Sequence, residues 1–522
     1  MNPPMIGQAD GLREPTRPQE GVEGKILRGV SANWLGKLLG IVFSLVLTPI
    51  LFHRLSQDEL GLWYLVVQVS GLLALFDFGI SPTLIRRIAM ARADASSGDP
   101  LIAGKGRAEI AGLISTGRTT FRWLALATVL IGGLLGSAAI SSIDSQGTGT
   151  GTILASWLVV CATNAFSIRT NIFSCLVSGI GMAGWSGLTS VVSTLVVFAA
   201  QITALWSGGG LLHLSLITLL GPAINGALAY TLLRRHAPDL LTAGATPSSA
   251  LFRSIFRPAL RLWVTILGAF LILKTDQYFI ALYLGPASIP DYQAAYQVIS
   301  NVFAIAVSFA GASSVFISQL WAAGDRPAIH RLVFGSLRAG LMCMACGSAF
   351  LLTSGREFFD AWLGPGHFVG YQLLIIFCIM LFLEAQHVIV ATASRATEDE
   401  AFALWALGAG LLNLALTWAL IGPFGLLGVA LGTMIAQLTT NNWYAVVRGF
   451  RRLGIPLMKH LRLVIAPVLA IFILGISAGM LMKTQGPSGP WWQLGLPLVF
   501  DGAVLAIILG MPLLRRVRAV AR

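Results

Sequence analysis

Residues 30–52 read VSANWLGKLLGIVFSLVLTPILF, 23 residues whose single charge is Lys37. About 20 apolar residues in a helix cross a hydrocarbon core of roughly 30 Å. Lipid offers no water to backbone N–H and C=O groups, so such a run must be helical. Thirteen further runs of this kind follow, at 60–80, 121–141, 152–178, 184–205, 211–233, 262–284, 293–320, 333–354, 371–394, 401–421, 424–447, 463–483 and 492–514. The fold class this predicts is an all-α polytopic membrane protein with 14 transmembrane helices.

The charges orient it. If the N-terminus is inside and sides alternate, 29 of the 35 lysines and arginines fall on inside segments. Outside loops hold only Arg54, Arg356 and Lys483, while Lys37, Arg169 and Lys274 lie within spans. The positive-inside rule then places both termini in the cytoplasm. Moving the register by one span would invert the bias. A net charge of +13 in a chain that is 56% hydrophobic and 11% charged reads as topological anchoring to anionic headgroups, and nucleic acid is not an expected partner.

Other classes fall away on similar grounds. All five cysteines lie within spans. Cys343 and Cys346 make a C-x-x-C without flanking ligands, so they read as buried thiols and no metal site is expected. Residues 1–29 read as a disordered polar cytoplasmic tail without a cleavable signal pattern. The longest outside loop, 355–370, has sixteen residues, too few for an acceptor-binding catalytic domain. No H-E-x-x-H helix, Walker loop or G-x-S-x-G elbow stands in a fitting context. The expected protein is a carrier, with no enzymatic activity and no cofactor.

The long inside loop 234–261 divides the spans. Leu55–Val69 (LSQDELGLWYLVVQV) and Leu284–Val298 (LGPASIPDYQAAYQV) align without gaps on Leu55/Leu284, Trp63/Tyr292, Gln68/Gln297 and Val69/Val298. Six spans per half would form a parallel repeat, the plan of two-lobed transporters. The expected organisation is 30–236 for one lobe, 237–259 as linker, 260–452 for the second lobe, and 453–522 as a terminal hairpin with a basic tail.

Polar stripes mark what should face protein or water. In the first span, Asn33, Lys37, Gly40, Ser44 and Thr48 share about an 80° arc at helical spacing. Gln293, Tyr296, Gln297, Ser300, Ser308 and Gly311 form a similar stripe in the eighth, Tyr64, Gln68 and Gly71 in the second, and Arg261, Thr265 and Asp276 in the seventh. Spans one, two, seven and eight are those the repeat relates, so a shared central cleft is expected. Interhelical packing by small and polar residues accounts equally for the Ser, Thr and Gly members.

Several motifs are recognisable together. Asn33-x-x-Gly36 opens a span ending Thr48-Pro49; LSQDELGLW follows at 55–63, LFDFG at 75–79, then Arg86-Arg87. The second half carries DQYFIALYLG at 276–285, YQAAY at 292–296, Trp362-Leu-Gly364 and GLLGVALG at 425–432. Across most of 25–450 the chain resembles the polysaccharide transporter family, the Wzx-type O-antigen flippases of the multidrug/oligosaccharidyl-lipid/polysaccharide (MOP) exporter superfamily. That resemblance implies two six-helix bundles around a central cavity, with alternating access in a bacterial inner membrane. It implies a lipid-linked oligosaccharide, membrane lipids, a polysaccharide polymerase and a chain-length regulator as partners.

A lipid diphosphate needs cations in a low-dielectric cleft. Lys37 and Arg261 are the first candidates, with Arg86 and Arg87 at the cytoplasmic mouth, where positive-inside anchoring also explains them. Asn33, Tyr64, Gln68, Gln293, Tyr296, Gln297 and Asn301 are candidates for the sugar. Asp276, and Glu384 with His387 one turn on, are candidates for ion coupling. A lipid II flippase, a drug or cation antiporter of the same superfamily, and, less favoured, a membrane enzyme of glycan assembly are the alternatives.

Overall fold

The computed structural model describes all residues except 1–21, 144–147, 243–244, 398, 400–401, 486–491, 505 and 507–522. The side chains of 22–35, 183, 261–262, 312, 315 and 403 also lie outside the described set.

The first half begins with α1 (Val22–Arg54), α2 (Gln57–Ala74), α3 (Ile80–Ala95) and α4 (Pro100–Ala127). It continues through α5 (Gly133–Ser141), α6 (Thr150–Gly179), α7 (Ala183–Trp206), α8 (Leu211–Thr218), α9 (Leu220–His236) and the short α10 (Asp239–Thr242). The second half holds α11 (Ser249–Leu273), α12 (Asp276–Leu284), α13 (Ile289–Ala322), α14 (Arg326–Leu363) and α15 (Tyr371–Arg395). It closes with α16 (Ala403–Thr439), α17 (Asn441–Leu453), α18 (Leu457–His460) and α19 (Ala466–Gln485). Among the described residues twelve helices are long and apolar enough to cross a membrane. The stretch Leu404–Leu453 enters that count once although it reverses at Gly425, whose φ of 56° is open to glycine at little cost. The expected span 492–514 lies mostly outside the described residues, as does the expected tail before residue 22.

Local chemistry explains the helix ends. Ser56 caps α2 by accepting from the Glu59 N–H, with Asp58 and Glu59 in the first turn. Asp99 caps α4 ahead of Pro100. After α2 the chain turns sharply through Phe78 (φ 49°) and Gly79 (φ 70°), and the Asp77 carboxylate accepts from the Ser81 N–H and hydroxyl to start α3. The inside segment 81–120, read from sequence only as a loop, is therefore largely helical. Hydropathy missed this because α3 is amphipathic and sits beside the membrane segments instead of within them.

Helix pairing repeats in the two halves. α1 runs parallel to α7, with Gly36 against Val191 and Phe43 stacked on Phe198 at 4.4 Å. α11 runs parallel to the first arm of α16, with Gly268 against Ala406 and Gly410 against Leu271. These are the first and fifth expected spans of each half. The halves meet along α1–α13, along α2 with α12, α13 and the turn Pro286–Ser288, and along α3 and α4 with α11. If the charge rule orients the chain, reporter fusions after His236 and at the C-terminus both read cytoplasm. A periplasmic signal at either would break the topology.

Candidate functional site

The two halves touch most tightly at one end. Gly61 of α2 lies so close to the Pro286 carbonyl that a Cβ would overlap it. Phe52 stands edge-on to His367 at 4.9 Å, and His367 Nδ1 lies 2.9 Å from Asp291 Oδ1. Trp362 Nε1 donates to the Leu45 carbonyl at 2.8 Å. These residues flank the loops read as outside.

One layer deeper, the predicted stripes of α1 and α13 meet. Gln297 Nε2 donates to Thr48 Oγ1 at 2.9 Å and to the Ser44 carbonyl at 3.1 Å. Asn301 Nδ2 donates to Ser44 Oγ at 3.2 Å. Gln293 accepts from Gln277 Nε2, and Tyr296 packs edge-on to Phe377 at 5.5 Å. The Tyr64 hydroxyl is buried without a hydrogen-bond partner among the described residues. Gln68 is half-buried. In the inner half of α1 no such zipper to α13 continues: a Cβ at Gly40 would meet nothing within 4 Å, and Leu38 and Val42 are exposed. The α2–α11 seam differs. It stays shut along its length, with Phe270 3.0 Å from a Cβ built at Gly71, Trp263 Nε1 donating to the Leu75 carbonyl at 2.8 Å, and the Ala259 carbonyl 2.8 Å from a Cβ at Gly79. Beyond the zipper α1 is open at Gly40, and Lys37 lies in a groove between α1 and α7 of its own half.

Lys37 is exposed and lines a cavity of about 230 Å³ with Gly36, Phe43, Ser190 and Thr194. No carboxylate pairs with it among the described residues. Arg87 is engaged otherwise: it pairs with Glu109 and donates to Ser254 Oγ at 3.1 Å. It thereby ties α3 and α4 to the start of α11. Arg86 is exposed without a described partner. The side chains of Asn33 and Arg261 lie outside the described residues.

A second polar cluster surrounds Asp276. The seventh span breaks between α11 and α12, where Lys274 leaves helical geometry (φ −133°, ψ 10°). A break frees carbonyls that lipid cannot satisfy, and Asn413 Nδ2 donates to two of them, Leu271 at 3.0 Å and Ile272 at 3.2 Å. Thr417 Oγ1 donates to Asn413 Oδ1 at 3.3 Å. The buried Asp276 carboxylate accepts from Tyr292 Oη at 2.7 Å and Thr433 Oγ1 at 3.3 Å. Lys274, two residues away, points elsewhere, into a mainly apolar cavity of about 350 Å³ with Leu72, Phe270 and Leu414. One carboxylate ringed by neutral oxygens suits a proton or a hard monovalent cation better than a divalent ion. No group of three or more His, Cys, Asp and Glu suited to a metal occurs among the described residues.

Glu384 and His387 sit apart from this cluster's hydrogen bonds. His387 Nδ1 lies 3.9 Å from Glu384 Oε2 and 3.1 Å from Asn442 Oδ1. Glu384 Oε2 is buried with no hydrogen-bond partner. Arg395, on the same helix, stacks instead over Phe402 at 5.4 Å. Sequence reading missed Asn413, Thr417 and Thr433, although their four-residue and span-central spacing within apolar runs was the available signal.

The polysaccharide biosynthesis protein family matches residues 26–321, more than half of the chain. No curated protein matches the sequence. Among solved structures, the chain is similar to lipid II flippase MurJ in an inward closed conformation, at 15% identity, covering 94% of this chain and 100% of that one with a TM-score of 0.66. It is similar to an inward-facing multidrug resistance MATE transporter of the MOP superfamily at 11% identity, covering 81% and 98%, TM-score 0.64. An outward-facing MATE transporter overlays at TM-score 0.55 with 15% identity, covering 83% and 96%. The chain belongs to the polysaccharide biosynthesis protein family and is built on the MOP transporter fold.

Proposed function

We propose that this protein flips a polyprenyl-diphosphate-linked oligosaccharide from the cytoplasmic to the periplasmic face of a bacterial inner membrane by alternating access, for cell-surface polysaccharide assembly. The observation that carries the reading is Lys37: a cation within the first expected span, without a carboxylate partner among the described residues, lining an open groove between α1 and α7. A mid-span cation costs about 3 kcal/mol on insertion scales, and an unpaired one is useful where an anion must pass. A diphosphate headgroup carries that anion, and an open groove beside α1 lets the lipid tail stay in the bilayer while the headgroup meets Lys37. Gln297, Asn301, Gln293 and Tyr64 offer hydrogen bonds to sugar hydroxyls once the α1–α13 zipper opens. Arg86 and Arg261 serve the cytoplasmic mouth. Arg87, held by Glu109, contributes to the anion path only when that pair loosens. Asp276 is the coupling site; Glu384 with His387 is a second protonatable pair. The polymerase and chain-length regulator of the same pathway are the expected partners in the membrane.

The test is surface-glycan export in a strain lacking the gene. Lys37→Ala is expected to cut export at least about tenfold, the factor that about 1.4 kcal/mol represents, while Lys37→Arg restores it partly because charge is kept but shape is not. Membrane insertion is checked by immunoblot. Wild-type export by Lys37→Ala would discard the cationic path. The overlay with MurJ favours one second reading, a lipid II-type substrate. It predicts rescue of a lipid II flippase deficiency, and the oligosaccharide reading predicts none.

A further inference from the structure

The second half carries a basic, aromatic pocket that the transport reading leaves unused. α17 follows directly where the second arm of α16 ends at Thr439, so it lies at the boundary between an apolar span and the arginine-rich side. One face of α17 is buried, with Ala445, Val446, Gly449, Phe450 and Leu453 against the body of the protein. The other carries Arg448, Arg451 and Arg452, spaced so that they share a face. Beside them lies a cavity of about 470 Å³ lined by these three arginines, Asp399, Trp405, Trp443, Tyr444 and Val447.

The aromatic wall is ordered but not core. Trp405 stacks on Tyr444 at 4.5 Å and stands edge-on to Trp443 at 5.7 Å. Trp443 Nε1 is satisfied by the Thr439 carbonyl at 3.0 Å. Yet Trp443 is 49% exposed and Trp405 36% exposed, which in a membrane protein places them at the headgroup level. The three arginines differ. Arg448 is neutralised by a bidentate pair with Asp399, at 2.7 Å and 2.9 Å. Arg452 is only positioned, by the Thr397 carbonyl at 2.8 Å and by Trp321 at 4.8 Å. Arg451 has no partner among the described residues. Asp399, the one described carboxylate of the lining, is taken up by Arg448, and Arg451 and Arg452 have no described carboxylate pair.

We propose that this pocket binds the phosphate headgroup of an anionic phospholipid of the leaflet on the arginine-rich side. Arg451 and Arg452 contact the phosphate, and Trp405 and Trp443 bracket the glycerol and upper acyl region. Charge complementarity selects an anionic headgroup over a zwitterionic one. The site binds bulk lipid and is separate from the Lys37 path.

The test is native mass spectrometry of the full chain, purified in mild detergent and incubated with phosphatidylglycerol or phosphatidylcholine. Wild type is expected to retain phosphatidylglycerol preferentially. Arg451→Gln is expected to lower that retention roughly fivefold, and Arg451→Gln with Arg452→Gln further, by about the same factor again. Arg234→Gln with Arg235→Gln, on the same side but outside the pocket, is expected to leave it unchanged. Arg451→Gln alone keeps the test sound if the double variant fails to fold, because the Arg451 side chain holds no described contact. Equal retention by the Arg451 variant and wild type would overturn the proposal. So would equal losses at Arg234 and Arg235, since they would mark general surface attraction. Displacement of the lipid by inorganic phosphate would also overturn it, marking a site for free phosphate. Glu398→Gln and Glu400→Gln, which remove acidic charge next to Asp399 in the sequence, are expected to raise retention or leave it unchanged; a loss in either variant would overturn the arginine-centred site.

Discussion

Gly61→Val is expected to open the outer end of the protein and to abolish transport while leaving the fold intact. Gly61 and the Pro286 carbonyl are in backbone contact, so any side chain must push the halves apart. Overpacking of a tight contact costs roughly 1–3 kcal/mol. That cost falls only on the state in which the outer end is shut, because the contact joins the halves. At about 1.4 kcal/mol per tenfold, the shut state loses about five- to a hundredfold in population against the open one. The check is labelling, from outside, of a cysteine placed at Gln297 with a membrane-impermeant thiol reagent. Background is low because Cys161, Cys175, Cys343, Cys346 and Cys378 are all buried. Gly428→Val is the control. Gly428 overlaps the Leu420 carbonyl inside the α16 hairpin, so its substitution lowers stability without opening the gate. Equal labelling of Gly61→Val and wild type would sink the idea that this contact is the outer gate.

That contact shows what was legible in the sequence and what was not. Leu55–Val69 and Leu284–Val298 align with each other, and Gly61 and Pro286 belong to those two stretches. The repeat was visible; that its copies face each other across the gate was not, because pairing between distant segments leaves no local pattern. The stripes of the first and eighth spans, expected to share a cleft, are hydrogen-bonded to each other through Ser44, Thr48 and Gln297, with Asn301 joining from outside the stripe, since a polar group inside a span has few places to go. Charges were harder. Lys37 and Arg87 are both cation candidates in sequence, yet Lys37 has no carboxylate partner among the described residues and Arg87 is held by Glu109, 22 residues on, between the expected spans 60–80 and 121–141. Helical periodicity gives a direction but not a partner. The hydrophobic scan read 401–421 and 424–447 as separate spans, and Gly425 turns the chain between them; it did not see the breaks at Lys274 and Thr440, because a break inside an apolar run leaves hydropathy unchanged.

Asp276→Asn is expected to remove coupling while preserving structure. Asparagine is nearly isosteric: its Oδ1 keeps the bond from the Tyr292 hydroxyl, 2.7 Å from the carboxylate, while its Nδ2 replaces the other oxygen and donates to Thr433 Oγ1, whose own hydrogen turns to the Val429 carbonyl at 3.3 Å. What it loses is the one negative charge of a site that otherwise offers neutral oxygens. A cation that binds the folded protein and not the unfolded one stabilises it, by about 2.7 kcal/mol at a concentration a hundredfold above its dissociation constant. Thermal melting of the purified wild type is therefore expected to rise with sodium or lithium if the coupling ion is a metal cation. It is expected to be indifferent to both, and transport to follow an imposed pH gradient, if the ion is a proton. In either case Asp276→Asn loses the dependence. Asn413→Ala separates geometry from charge: it strips the partner from the Leu271 and Ile272 carbonyls, leaving them in a medium without water, and should destabilise the break by about 1–3 kcal/mol even where no cation is present. If Asp276→Asn exports glycan like wild type and keeps its cation response, the acidic residue at the broken seventh span is structural, and coupling must be sought at Glu384 and His387, whose Oε2 and Nδ1 stand 3.9 Å apart in the interior of the same half.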